Sequence, residues 1–223
     1  TAFAQNDLYH GPGISPDGRG NVVRGMPPRG QAGGNVVTGN GISYHGGPVM
    51  TNGTNIRVIW YGNWSGNTAT TIIPDFLNSI GGSGYWNINT TYYSGSTTKT
   101  YVKNQVTLTA QSTVAYPYGT SLSDAQILQV VKDNIGTAAP DPNAIYFVLT
   151  SADVNASSGF CTQYCGWHNH ATVNGVDVKY SFVGNPDRCI TSCAAQTTSP
   201  NGNAGADGMA SIIVHEAEEA TTD

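Results

Sequence analysis

Apolar positions change rhythm along the chain, and each change marks an element. Asn55-Ile56-Arg57-Val58-Ile59-Trp60-Tyr61-Gly62 is short, rich in β-branched residues and closed by glycine, which predicts a strand. From Thr70 to Ile80 the period lengthens. Ile72, Ile73, Phe76, Leu77 and Ile80 recur at spacings of three and four, which predicts a helix with Pro74 tolerated in its first turn and Gly81-Gly82 ending it. Gly84 through Tyr93 is aromatic and polar, a loop or short helix. Thr100 to Val114 alternates through Val102, Val106 and Leu108, which predicts one or two strands. Ser121-Leu122-Ser123-Asp124 then opens a second helix, in which Ser123 and Gln126 fit a capping box. Ile127, Leu128, Val130, Val131 and Ile135 form its apolar face, and Gly136 stops it. Ala144 to Thr150 is a continuous apolar run, as in the middle of a sheet. Val176 to Gly184 alternates as a further strand, read as an edge. Residues 194 to 206 read as a loop, and Asp207 caps a last helix from Gly208 to at least Ala220.

The order is strand, helix, strand, helix, strand, strand, helix. It predicts an α/β fold, a mixed β-sheet with packed helices. A last helix that follows the sheet is a zincin-like order, that of the N-terminal half of many zinc peptidases. That analogy of architecture fixes no function. Residues 1–41 are rich in glycine and proline and read as a flexible, extended arm. The α/β domain takes 42–223 and is expected to be incomplete at its C-terminus.

Composition narrows the setting. Only 10% of the residues are charged, against roughly 25% in an average soluble protein. Gly, Ser, Thr and Asn replace the missing charges, which suits an extracellular chain of strands and loops. The net charge is −5 and the 9 basic residues form no run, which argues against nucleic acid as a partner. No apolar stretch reaches the ~18 residues that span a bilayer, so no membrane partner is expected. The cysteines form two matched pairs, Cys161-x-x-x-Cys165 and Cys189-x-x-x-Cys193. Even number and paired spacing fit two disulfides in a secreted protein, with connectivity left open. The rival is a four-cysteine zinc site, whose usual spacing within a pair is two residues. Sequons at Asn52, Asn63, Asn89 and Asn155 are a weaker hint of secretion.

Glutamate supplies the candidate chemistry. Glu216, Glu218 and Glu219 are the only glutamates, all inside His215-Glu216-Ala217-Glu218-Glu219. On a helix this is a variant of the zinc-hydrolase pattern His-Glu-x-x-His. Residues four apart share a helix face, so His215 and Glu219 can ligate one cation. Glu216 can then act as general base on a water that the cation activates. Glutamate in place of the second histidine hardens the site, so calcium or manganese is possible beside zinc. A catalytic zinc normally takes three protein ligands. Asp223 is the nearest further candidate along the helix, although eight residues correspond to a rise of ~12 Å. His168 and His170, within Gly166-Trp167-His168-Asn169-His170, and His45 are the others. Against all this stands a plain solvated helix face.

Several blocks together resemble the EXORDIUM / phosphate-induced protein 1 family. They include Tyr44-His45-Gly46-Gly47-Pro48-Val49-Met50, Ile59-Trp60-Tyr61-Gly62-Asn63-Trp64, Val148-Leu149-Thr150-Ser151-Ala152-Asp153-Val154, Gly159-Phe160-Cys161 with Cys165-Gly166-Trp167-His168, Phe182-Val183-Gly184-Asn185, and Pro200-Asn201-Gly202 with Asp207-Gly208-Met209. They lie in order over residues 42 to 214. The resemblance implies an extracellular, cell-wall-associated protein, linked in plants to growth control and without a settled activity. Plant members resemble this chain through Met209 but lack the His-Glu-x-x-Glu that follows. Microbial relatives resemble it through the full His215-Glu216-x-x-Glu219-Ala220-x-Thr222-Asp223 pattern, and family members continue beyond it, often with Pro directly after the residue matching Asp223. Cleavage at such an acid-labile Asp-Pro bond would leave a C-terminal fragment of the same precursor as a partner.

The sequence therefore supports two functions. The first is a secreted metal-dependent hydrolase, above all a zinc metallopeptidase, acting on a peptide or cell-wall polymer. The second is a non-catalytic extracellular protein that binds cell wall or carbohydrate, or that signals. In that reading Trp60, Tyr61, Trp64, Tyr85, Trp86, Tyr92 and Tyr93 offer flat platforms for sugar rings.

Overall fold

A computed structural model describes residues 24–26, 46–194, 196 and 198–222. The elements in order are β1 (Arg24–Met26), β2 (Thr54–Tyr61), α1 (Ala69–Ile80), a 3-10 helix (Trp86–Thr91), β3 (Tyr93–Ser94), β4 (Thr100–Tyr101), β5 (Val106–Val114), β6 (Ser121–Leu122) and α2 (Asp124–Ile135). Then follow β7 (Ala144–Thr150), β8 (Asn155–Ala156), β9 (Gly166–Val173), β10 (Val176–Gly184), a 3-10 turn (Pro186–Arg188), α3 (Ile190–Cys193) and α4 (Ala204–Thr222). The main sheet has six strands in the order β5-β2-β7-β10-β9-β1. Neighbours from β5 to β10 run parallel, β9 is antiparallel to β10, and β1 is antiparallel to β9. This is the mixed α/β sheet with packed helices that the periodicity predicts.

Each helix follows from its residues. α1 buries Ala69, Ile73, Leu77 and Ile80 at helical spacing. It begins one residue earlier than predicted, so Pro74 is its sixth residue rather than part of the first turn, and one backbone hydrogen bond is forgone there. The capping box of α2 is complete, with Gln126 N donating to Ser123 Oγ and Ser123 N donating to Gln126 Oε1. Thr54 Oγ1 lies 3.0 Å from Thr221 Oγ1, which puts α4 on the Thr54–Ile56–Val58 face of β2. Asn134 at the end of α2 donates to Ser112, which pairs with Ile59 on the opposite face.

Four sequence-based expectations change. β10 is an interior strand rather than an edge, because β9 covers it. The two form a hairpin through Asn174 (φ 48°) and Gly175 (φ 82°), both left-handed as a type I′ turn requires. α4 starts at Ala204 rather than Gly208, which shortens the predicted loop. Asn203 Oδ1 accepts from Ala206 N, so Asn203 caps the helix and Asp207 lies inside its first turn. Arg24–Met26, within the stretch read as an arm, pairs with β9; the rest of 1–41 lies outside the described residues.

The cysteines form two disulfides, Cys161–Cys189 and Cys165–Cys193, which removes the four-cysteine zinc alternative. Both join the segment before β9 to the segment between β10 and α4. They tie the start of β9 to the lead into α4.

Candidate metal centre

α4 buries Met209, Ile212, Ile213, Glu216, Ala217 and Ala220, one stripe at spacings of three and four. Glu216 thus lies on the apolar stripe itself and has no solvent exposure. An ionised carboxylate there is costly unless it is paired. β9 supplies the partner, for His168 Nδ1 lies 2.9 Å from Glu216 Oε2. The same nitrogen lies 3.5 Å from Glu219 Oε2, and the other Glu219 oxygen lies 3.4 Å from His215 Nε2. Donor atoms of His168, Glu216 and Glu219 all fall within 4.8 Å of one another. Glu219 is the hub, with one histidine at each oxygen.

Close approach of α4 to β9 makes this possible. A Cβ on Gly166 would stand 2.4 Å from Ile212 Cγ2 and 3.5 Å from Glu216 Oε1, so only glycine lets the helix come this near. Period-2 geometry then turns His168 towards the same face as Gly166. The cluster is graded in depth. Glu216 and His168 form its buried floor, whereas Glu219 and His215 keep 31% and 37% side-chain exposure and form the rim.

The structure brings His215 and Glu219 together as the spacing predicts, and sets Glu216 against His168. Of the three histidines weighed as a further ligand, His168 joins the cluster. His170 does not; its Nδ1 lies 2.7 Å from Asp177 Oδ1 at the surface. His45 and Asp223 lie outside the described residues. The sequence reading named His168 without separating it from its neighbours. The separating signal was the Asn174-Gly175 turn, which makes Gly166–Val173 a strand under α4.

Glu218 points away from this cluster, towards the 3-10 helix. Burial pushes its carboxyl up from the ordinary range, against opposing contributions from Asn89, His215 and Tyr85. The aromatic platforms are mostly absent. Trp60, Tyr61, Trp64 and Trp86 are buried core residues, while Tyr85 is half exposed and Tyr92 and Tyr93 are partly buried. The sequon at Asn89 is buried as well.

Together these features define a disulfide-braced α/β protein whose last helix carries a histidine–carboxylate cluster. Residues 42–223 match the family described as "Phosphate-induced protein 1 conserved region", and the chain belongs to this EXORDIUM / phosphate-induced family. Protein EXORDIUM-like 3 of Arabidopsis thaliana is 32% identical over 210 residues, 81% of this chain and 61% of the relative. Protein EXORDIUM-like 5 of the same plant is 31% identical over 206 residues, 80% of this chain and 56% of the relative. The chain thus spans about 56–61% of the length of these curated relatives. No solved structure matches. Among the described residues, no helix is long and apolar enough to cross a membrane.

Proposed function

We propose that this chain carries the divalent-cation centre of an extracellular hydrolase, with His215, Glu219 and His168 as ligands and Glu216 as general base. The observation that carries the reading is Glu219 between two imidazoles, at 3.4 and 3.5 Å. Two histidines and one glutamate are a donor set that catalytic zinc takes. Calcium prefers oxygen ligands alone, so the imidazoles favour zinc, with manganese next. When bound, such a cation supplies Lewis acidity and lowers the pKa of water to about 7.

The residues then divide the remaining work. His168 and Glu216 are fixed by β9 and by the apolar stripe of α4, so they supply rigid geometry. Glu216 has no solvent exposure, and any proton it takes must come from inside the cluster. Its carboxylate is 2.9 Å from the proposed ligand His168, so it would stand beside the cation and the water that the cation holds. Glu219 and His215, on the rim, meet the substrate side. The zincin-like order read from the sequence is an analogy of architecture and carries no part of this reading. The disulfides and the family support an extracellular setting. The substrate class is a peptide or a cell-wall polymer.

Glu216→Gln tests the assignment. A base role predicts retained zinc with at least a hundredfold loss of peptide-library cleavage. Loss of zinc in Glu216→Gln would make Glu216 a ligand instead, and chelator-insensitive cleavage would end the metal reading. Family membership favours the second function, a non-catalytic wall-binding or signalling protein. Glycan binding that survives chelation, with no cleavage of any library, would select it.

A further inference from the structure

The face of α4 next to the candidate centre has a second feature. In a 3-10 helix, residues three apart eclipse one another. Tyr85 and Ile88 therefore share the outer side of the Trp86–Thr91 segment, at 50% and 52% exposure, and Trp86 and Asn89 share the buried side. Two of the three exposed large hydrophobic residues among those described thus stand together. Glu218 reaches towards this segment from α4, and Tyr85 OH donates weakly to its Oε2 over 3.5 Å. Asn89 lies beside the same carboxylate, and its side chain helps hold the carboxyl down against the effect of burial. Asn89 is only 2% exposed, so it closes the inner side of the spot and leaves Tyr85 and Ile88 on the outer side. The ionisable neighbour of Glu218 is His215, and among the described residues no lysine or arginine pairs with it.

We propose that Glu218, Tyr85 and Ile88 form a subsite for a positively charged group on an apolar stem, an ammonium or guanidinium carried by an alkyl or aryl chain. Glu218 Oε2 retains acceptor capacity and is the charge partner. The Tyr85 ring offers its face to the cation, and Ile88 covers the stem. Glu218 is three residues from His215, a rise of about 4.5 Å along the helix axis. The subsite therefore opens one turn from the candidate centre. Its meaning as a substrate pocket rests on the hydrolase reading and narrows the substrate class to chains that carry a basic residue or amino group. Its existence as a cation pocket does not depend on a metal.

Benzylamine and its neutral counterpart benzyl alcohol test this, titrated into the full chain with amide resonances followed by NMR, once with zinc and once with chelator. Benzylamine should shift resonances around Tyr85, Asn89 and Glu218 saturably in both conditions, and benzyl alcohol should bind about tenfold more weakly or worse. Glu218→Gln should remove that preference, and Tyr85→Leu should weaken benzylamine binding severalfold, both with unchanged zinc content. Equal binding of the two probes, or a preference that persists in a folded Glu218→Gln variant, would overturn the subsite. Benzylamine binding in a protein that never takes up zinc would support the pocket and defeat the hydrolase reading, so the two failures are distinct.

Discussion

His168 and His170 are the same residue type, two positions apart, on the same face of the same strand. His168 is buried against two carboxylates of α4, whereas His170 keeps 58% side-chain exposure and pairs with Asp177. Burial would push the Asp177 carboxyl up, but hydrogen bonds from His170 and Lys179 hold it below the ordinary range. One histidine thus belongs to a surface ion pair of little energetic weight, and the other forms the floor of a candidate centre. The helix above decides the difference. α4 comes down onto β9 at Gly166 and covers His168, and two residues further on the strand has left its shadow.

The largest test of that contrast is paired truncation. His168→Ala leaves the wholly buried Glu216 carboxylate without its β9 partner, and unfolding should cost on the order of 3 kcal/mol less. His170→Ala should change stability by less than about 1 kcal/mol. Equal losses in urea melts would break the comparison. Next in size is the anchor ahead of β9. Burial pushes the Tyr164 phenol up to about 12 from its ordinary 10.0, with its hydroxyl on Ser158. A raised folded value means that its contribution is intact below pH 10 and is lost as pH rises through about 12, on the order of 2–3 kcal/mol. Tyr164→Phe should flatten that alkaline fall in rapid pH-jump unfolding. Gly166→Ala should cost about 1–3 kcal/mol, since a Cβ 2.4 Å from Ile212 pushes α4 off β9. It should also loosen any bound metal, although no ligand is touched. Smallest is Ser123→Ala, which opens the α2 capping box at about 1 kcal/mol and should leave metal content unchanged.

Periodicity was a good guide where apolar residues carry the element. β2, β7, α1 and α2 appear within a residue or so of their predicted bounds, and the alternating stretch from Thr100 resolves into β4 and β5. β9 escaped because His168, Asn169, His170 and Thr172 interrupt its hydrophobic pattern. Its burial comes from α4, a contact far along the chain that no local window contains. The same reason hid the rank of His168. The pairing of His215 with Glu219 was legible because helix geometry fixes it locally. Cystine connectivity was not, since four thiols allow three pairings and only the folded hairpin chooses one. Burial of Trp60, Trp64 and Trp86 likewise depends on tertiary packing that aromatic density alone does not express.

The claim that α4 and β9 build a cation centre is tested most directly by elemental analysis of wild-type, His168→Ala, Glu219→Ala and His170→Ala proteins purified without chelator and re-equilibrated with zinc. The account predicts about one zinc per chain in the wild type and in His170→Ala, and a loss of at least tenfold in His168→Ala and Glu219→Ala. Zinc that is absent throughout, or that stays equal in all four folded proteins, would contradict it.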